Sequence, residues 1–262
     1  MSKKICLVLG AGGARGVAHV GVLQAFDEHG IKPDCIIGCS MGSVVGACYS
    51  KGMRPAELVK IAENLKLAHI ADFSIFPLNK TSLLKSVKIR NVLSKYIGDV
   101  HFEDLKIPFS CVAVDIISGE SVLLNKGLVE PAVRASSTIP TVFKPVELDG
   151  KVLVDGGVFV RLPLKEAKES NCDVTIVVDV LGKLQPYKES KNILAQGLRV
   201  IEVNDCHITE RNLKKYKPNV LIRPNLEDMS QYKVERLLFA YERGYQAGLE
   251  AIPKIKKLLN KK

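Results

Sequence analysis

Residues 34–50, Asp-Cys-Ile-Ile-Gly-Cys-Ser-Met-Gly-Ser-Val-Val-Gly-Ala-Cys-Tyr-Ser, constrain the fold more than any other stretch of the chain. Asp34 to Ile37 read as the end of a short buried strand, and Met41 to Ser50 as a small-residue helix. Between them, Gly38-Cys39-Ser40-Met41-Gly42 matches Gly-x-Ser-x-Gly. That pattern sets a serine on a sharp strand-to-helix turn, its hydroxyl projecting from the end of a sheet. A Cβ at Gly38 or Gly42 would crowd the turn and the neighbouring strand. Gly42, Gly46 and Ala47 recur at helical spacing, a small-residue face that lets the helix pack close to the sheet. Five-residue patterns arise by chance, so Ser40 as a nucleophile needs support from the rest of the chain.

The first support lies upstream. Lys4 to Gly10 is a continuous apolar run, as expected of a strand buried on both faces of a parallel sheet. It leads into Gly10-Ala11-Gly12-Gly13-Ala14-Arg15-Gly16 and then a helix from Val17 to His29, closed by Gly30. With the strand at Cys35 this makes a βαβ unit, so the Gly-rich loop and the serine turn fall at one sheet edge. The loop opens like a dinucleotide fingerprint, but its third glycine comes one place late, at Gly16, with Arg15 in the expected position. The next strand ends in Gly38-Cys39-Ser40 and offers no carboxylate to a ribose. The same amide-rich turn can instead serve as an anion hole for a developing oxyanion facing Ser40.

Composition narrows the class. At 262 residues and 47% apolar content the chain suits one sizeable globular domain, taken as residues 1–262. No apolar run reaches the ~20 residues that span a bilayer. Ile5 to Leu9 is too short for a leader peptide and runs straight into the Gly-rich loop. Seven irregularly spaced cysteines, with Cys6, Cys35 and Cys111 in apolar segments, predict core thiols in a reducing, cytoplasmic setting and no disulfide framework. No Cys or His spacing suggests zinc, and no metal is expected. Of the net charge of +10, +7 falls in residues 191–262, which carry 15 Lys/Arg against 8 Asp/Glu. A second basic cluster comprises Lys80, Lys85, Lys88, Arg90 and Lys95. Besides a solvated surface, these charges suit peripheral contact with an anionic membrane, here expected at the inner face through the basic C-terminus. With 6% aromatics and no Trp there is no stacking platform, so nucleic acid is not an expected partner.

The remaining elements are read as follows. An irregular helical region runs from Arg54 to Gly98; in it Phe73, Ile75, Phe76 and Leu78 precede an amphipathic stretch from Thr81 to Tyr96, and residues 72–98 suit a mobile cover, an acyl-binding wall or ordinary core. A hairpin joins Phe109–Ile117 to Ser121–Leu124, and a short helix Leu128–Ala135 ends at Ser136-Ser137-Thr138-Ile139-Pro140. A second hairpin turns at Asp149-Gly150 into Lys151–Val154, which meets Asp155-Gly156-Gly157. A buried strand Val174–Val180, a loop Lys183–Lys191, a helix Asn192–Leu213, a strand Val220–Arg223 and a helix Tyr232–Leu259 complete the chain.

A nucleophilic Ser40 needs a base within hydrogen-bond reach. His19, one turn into the first helix, reads as a half-buried structural residue. The α/β-hydrolase order would nominate Ser40, Asp155 and His207, but that fold places several strands before its serine, and His207 sits mid-helix. The remaining arrangement is a dyad in which Asp155 takes the proton from Ser40, strengthened as a base by partial burial.

Together, Gly-Ala-Gly-Gly-Ala-Arg-Gly at 10–16, Gly-Cys-Ser-Met-Gly at 38–42, Ser-Ser-Thr-Ile-Pro at 136–140 and Asp-Gly-Gly at 155–157 resemble a bacterial patatin-like phospholipase over most of the chain. The resemblance implies an α/β fold, a three-layer α/β/α sandwich with a mainly parallel sheet. It implies a Ser40–Asp155 dyad, an oxyanion hole of amides from Gly12, Gly13, Ala14 and Arg15, and motif glycines at Gly10, Gly16, Gly38, Gly42, Gly156 and Gly157. It further implies hydrolysis of acyl esters, chiefly of lipids, without metal or cofactor. A lipid-binding module of the same fold, or a thioesterase or small-ester hydrolase, are the competing readings. Two positions depart from the pattern: Ala11 stands where many members have glycine, and Arg161, two before Pro163, stands where they often carry Asn.

Overall fold

The computed structural model describes residues 3–68, 81–184, 186 and 193–260; side chains are not described for 65–68, 81–88 and 194. Phe73, Ile75, Phe76 and Leu78, and with them residues 72–80 of the expected cover, lie outside these residues.

Strand β1 (Ile5–Leu9) leads through the Gly-rich loop to helix α1 (Val17–Glu28), and β2 (Cys35–Cys39) turns at Ser40 into α2 (Met41–Lys51). Helices α3 (Pro55–Ala68) and α4 (Thr81–Tyr96) follow, then the hairpin of β3 (Phe109–Asp115) and β4 (Ser121–Leu124), and α5 (Val129–Ser136). The hairpin of β5 (Val146–Leu148) and β6 (Lys151–Asp155) leads to α6 (Leu164–Lys168), β7 (Val174–Val178), α7 (Ile193–Tyr216), β8 (Val220–Ile222) and α8 (Leu237–Leu259). All strands lie in one sheet, ordered β5-β6-β3-β2-β1-β7-β8, with β4 paired to β3. The run β3-β2-β1-β7-β8 is parallel, whereas β4, β5 and β6 are antiparallel additions.

Side-chain alternation along the strands builds the three layers. Ile5, Leu7 and Leu9 join the large core beneath α1, α2 and α8, while Cys6 and Val8 join Val177, Leu162 and Leu164 on the opposite face, under α6 and α7. Both faces of β1 are therefore buried, as its unbroken apolar run requires. Helices α1 and α8 cross closely through glycines: a Cβ at Gly244 would lie 2.0 Å from the Ala18 carbonyl oxygen, and one at Gly21 2.0 Å from that of Tyr241.

Register explains the meeting of distant segments. β4 occupies one edge of β3 over residues 111–114. β2, paired with residues 109–112, and β6, paired with 113–115, must therefore share the other edge. They run toward each other and meet end to end, Ser40 closing one and Asp155 the other.

Several boundaries differ from expectation. β3 stops at Asp115 because its carboxylate caps the turn, accepting from the Ile117 N–H and the Ser118 hydroxyl. Helix α8 begins at Leu237, not Tyr232, and the segment before it is tied to the Gly-rich loop. The Gln231 oxygen accepts the Ala14 N–H, and those of Met229 and Glu227 accept the Arg15 guanidinium. The C-terminal lysines have a location the sequence left open. Gly244 packs on Ala18 and Gly248 on Ala25, so α8 runs in the same direction as α1, away from the edge that carries Ser40. Lys3 Nζ donates to the Leu258 carbonyl at 3.0 Å, and exposed Lys254, Lys256 and Lys257 thus lie near the opposite sheet edge.

Candidate active site

The turn at Ser40 is strained: φ 51° and ψ −124° at a residue with a Cβ. It is held on every backbone group. The Ser40 N–H donates to Ser136 Oγ at 3.1 Å, and that hydroxyl donates to the Val112 carbonyl at 2.7 Å. The Ser40 carbonyl accepts from Ser43 Oγ at 2.6 Å and from the amides of Ser43 and Val44. Gly42 is required by close approach, since a Cβ there would sit 2.1 Å from the Leu9 carbonyl oxygen. With the backbone so tied, the Ser40 side chain makes one hydrogen bond, Oγ to Asp155 Oδ2 at 2.6 Å.

Asp155 is 5% exposed. Its Oδ1 accepts the Gly157 N–H at 2.7 Å, and its own N–H donates to the Thr138 carbonyl at 2.8 Å. Burial pushes its carboxyl up to about 6, partly offset by the Ser40 hydroxyl and the Gly157 amide, which stabilise the anion. A Cβ at Gly156 would meet the Val112 carbonyl oxygen at 2.5 Å, so this glycine lets the Asp155 turn seat against β3.

The Gly-rich loop narrows the expected oxyanion hole. The Ala14 amide donates to the Gln231 carbonyl at 2.9 Å and the Arg15 amide to the Gly12 carbonyl at 3.0 Å, so both are already engaged. The amides of Gly12 and Gly13 have no partner among the described residues, and both glycines line the cavity that holds Ser40 and Asp155. Gly13 has φ +50°, and a Cβ there would lie 2.3 Å from the Gln231 oxygen. The Arg15 side chain points away from the serine, donating to the carbonyls of Met229, Leu181 and Glu227.

Among the described residues no histidine reaches the pair. His19 is fully buried rather than half-buried; its Nε2 bonds the Gly10 carbonyl at 2.8 Å, and burial lowers its pKa to about 4. It is a neutral strut under the Gly-rich loop. His207 lies on an exposed position of α7. Among the described residues no cluster of His, Cys, Asp and Glu is arranged to hold a metal ion. The seven cysteines are all unpaired thiols; Cys6 and Cys111 are buried, whereas Cys35 is partly exposed, 3.5 Å from the sulfur of Cys172.

Ser40 and Asp155 form part of the wall of a cavity of about 300 Å³. Val17, Val44, Ile89, Leu93 and Leu237 form an aliphatic wall, and Leu198, Ile201, Asp205 and Tyr232 line it from α7 and the segment before α8. A serine hydroxyl bonded to a buried carboxylate, beside two undirected amides and an apolar slot, is an arrangement that could carry out acyl transfer from a hydrophobic ester. Ser136, Ser43 and Gln231 had no assigned role in the sequence reading. Of these, Ser43 lay in the 34–50 stretch and Ser136 in the Ser-Ser-Thr-Ile-Pro motif, whereas Gln231 lay in neither.

A family model described as patatin-like phospholipase matches residues 7–168. An uncharacterised NTE family protein of Mycobacterium tuberculosis is 37% identical over 199 residues, which cover 75% of this chain and 55% of that protein. The lysophospholipase NTE1 of Saccharomyces cerevisiae is 34% identical over 182 residues, 67% of this chain and 11% of the yeast protein. The match thus spans about half the length of the mycobacterial relative and a small part of the yeast one. Among solved structures, VipD from Legionella pneumophila shares the fold with a TM-score of 0.55 at 13% identity, covering 97% of this chain and 67% of VipD. ExoU in its complex with SpcU from Pseudomonas aeruginosa aligns with a TM-score of 0.54 at 17% identity, over 99% of this chain and 52% of that one.

Proposed function

Because the chain belongs to the patatin-like phospholipase family, we propose that it is a serine acyl hydrolase of lipid esters, with Ser40 as nucleophile and Asp155 as its base. The observation that carries this reading is the 2.6 Å hydrogen bond from Ser40 Oγ to a buried Asp155, in the wall of an aliphatic cavity. The ester carbonyl sits against Ser40 with its oxygen toward the free amides of Gly12 and Gly13. Ser40 Oγ attacks as its proton passes to Asp155 Oδ2, and the amides hold the charge that develops on the carbonyl oxygen. Asp155 returns the proton to the departing alcohol, leaving an acyl group on Ser40. Water, deprotonated by the same carboxylate, then releases the fatty acid. A cavity of about 300 Å³ with an aliphatic wall suits an acyl chain. The lysophospholipase name of the yeast relative agrees with a lipid acyl donor.

A fluorophosphonate probe tests nucleophile and activation together. It is expected to label the protein at Ser40, identified by peptide mapping, and to leave Ser40→Ala unlabelled. A protein that binds lipid but takes no label would be a binding module of this fold. Loss of label only with acyl-CoA competitors, and not with phospholipid, would favour the thioesterase reading.

The peripheral membrane contact is proposed at a different place from the C-terminal lysines, which would hold Ser40 away from the lipid. Exposed Ile117 and Phe159 lie beyond Asp115 and just after the Asp155 turn, on the side where the cavity lies. An Ile117→Ser, Phe159→Ser double variant is expected to lose most of its turnover of esters in anionic vesicles while keeping hydrolysis of a soluble p-nitrophenyl ester within about twofold. Replacing Lys254, Lys256 and Lys257 with Gln should alter neither. The reverse pattern would return the contact to the C-terminus. Among the described residues no helix is long and apolar enough to cross a membrane.

A further inference from the structure

Arg161, the position that departs from the family pattern, is 2% exposed and ranks first among the large fully buried side chains. Its Nη2 donates to the Gly182 carbonyl at 2.7 Å and lies 3.6 Å from Asp179 Oδ2. Its Nε lies 3.4 Å from Asp205 Oδ2, an ion-pair separation whose geometry does not make a hydrogen bond. Its main chain is engaged as well: the N–H donates to Asp205 Oδ1 at 3.4 Å, and the carbonyl accepts the Ala11 N–H at 2.9 Å. Asp179 also receives Arg223 Nε at 2.9 Å and the Gly182 N–H at 3.0 Å. One residue thereby joins the Gly-rich loop, the segment after β7, and α7.

Buried ion pairs contribute little net stability compared with apolar side chains of the same volume, so a cluster of this size is better explained by what it holds in place. Its contact with the site is the loop. Ala11 hangs on the Arg161 carbonyl, and a Cβ at Gly10 would lie 2.5 Å from Leu162 Cδ2, so residues 161 and 162 grip the base of the turn carrying Gly12 and Gly13. On the other side, Asp205 lines the cavity with Ser40.

We infer that Arg161 is the positioning residue of the oxyanion donors: anchored between Asp179 and Asp205, it fixes Ala11 and through it the direction of the Gly12 and Gly13 amides. This rests on the hydrolase reading above. Burial pushes the Asp205 carboxyl up to about 7, and the adjacent Arg161 opposes that rise. Arg161 touches no reacting atom, so its removal acts on the transition state through the loop, leaving the acyl wall intact.

The test is steady-state hydrolysis of p-nitrophenyl butyrate by the full chain, with thermal melts on every variant. Arg161→Met is expected to lower kcat about 50-fold while KM moves less than about threefold, since a misdirected amide weakens the transition state more than the ground state. Arg161→Lys restores a cation that can face one carboxylate and should recover about tenfold of that loss. Because Arg161→Met leaves two carboxylates without their shared partner and can unfold the chain, the isosteric Asp205→Asn is measured beside it. It should melt cooperatively and lose about fivefold in kcat at unchanged KM. Wild-type kcat in Asp205→Asn or in folded Arg161→Met overturns the inference, as does Arg161→Lys no better than Arg161→Met in folded protein. Absence of esterase activity in the wild-type chain would instead overturn the hydrolase reading.

Discussion

Asp155→Asn is expected to lower kcat/KM for p-nitrophenyl esters by about 10³–10⁴-fold, the scale seen when a triad loses its base function but keeps its shape. Asn can keep its oxygen toward the Gly157 amide, now 2.7 Å from Asp155 Oδ1, and turn its NH2 to donate to Ser40 Oγ, so the turn should survive. What is lost is a group that can take the proton. For the wild type, kcat/KM should rise with a single-proton limb centred near pH 6, because Asp155 must be ionised and burial holds its pKa at about 6. Stability should move the other way. A carboxyl whose folded pKa is raised favours the folded state in its protonated form. That contribution is full below the unfolded value near 4 and is lost as pH rises through about 6. The difference corresponds to at most about 3 kcal/mol at pH 8. Asp155→Asn, which carries no charge to bury, should therefore melt higher than wild type at pH 8 and lose that advantage by pH 4. Near-wild-type turnover in Asp155→Asn would remove Asp155 as the base, and a lower melting temperature at pH 8 would show that burial of its charge is not costly.

Gly42→Ala is expected to damage both fold and site. The added methyl would lie 2.1 Å from the Leu9 carbonyl oxygen and 2.5 Å from that of Gly10, both backbone atoms that cannot turn aside. Helix α2 has to move off β1 by an ångström or more, opening the core beneath Val45 and Ala47. Overpacking of this kind costs about 3 kcal/mol, and at about 2–4 °C per kcal/mol for a chain of this size the melting temperature should fall by about 10 °C. Since α2 carries Ser40 at its start, Ser40 Oγ shifts relative to Asp155, and under the proposed mechanism a displacement near 1 Å costs about 10²-fold in kcat. The folded fraction should thus be slow as well as unstable. A Gly42→Ala protein with wild-type melting would mean that α2 is not seated on β1 as described.

Much of the site was legible because it is local. A glycine on either side of Ser40 and an amide-rich turn after an apolar strand are features of consecutive residues, and their chemistry follows from backbone sterics and unpaired N–H groups. The expectation of a carboxylate base was reached by elimination, since His19 and His207 sit in unsuitable places in the sequence. The limits of that reading show at residues whose partners are distant. Ala14 and Arg15 were expected to offer amides to the oxyanion, yet Gln231 takes one, and the turn itself takes the other. Ser136 supports the strained Ser40 amide from 96 residues away, a contact that no spacing announces. Tyr232–Arg236 was read as the start of the last helix, but α8 begins at Leu237, after a segment whose Glu227, Met229 and Gln231 carbonyls bind the Gly-rich loop and Arg15.

The sequence by itself determined the turn that exposes Ser40, the alternation that buries β1 on both faces, and a carboxylate with glycines behind it. These depend on residues a few places apart and on the intrinsic geometry of strand, turn and helix. Only the tertiary structure decided that β2 and β6 meet end to end along one edge of β3, setting Ser40 against Asp155 across 115 positions of chain. It also decided which loop amides stay free, what Arg161 holds, and that the C-terminal lysines lie far from the serine. Each of these outcomes depends on register and packing between segments whose separation in sequence carries no record of their distance in space.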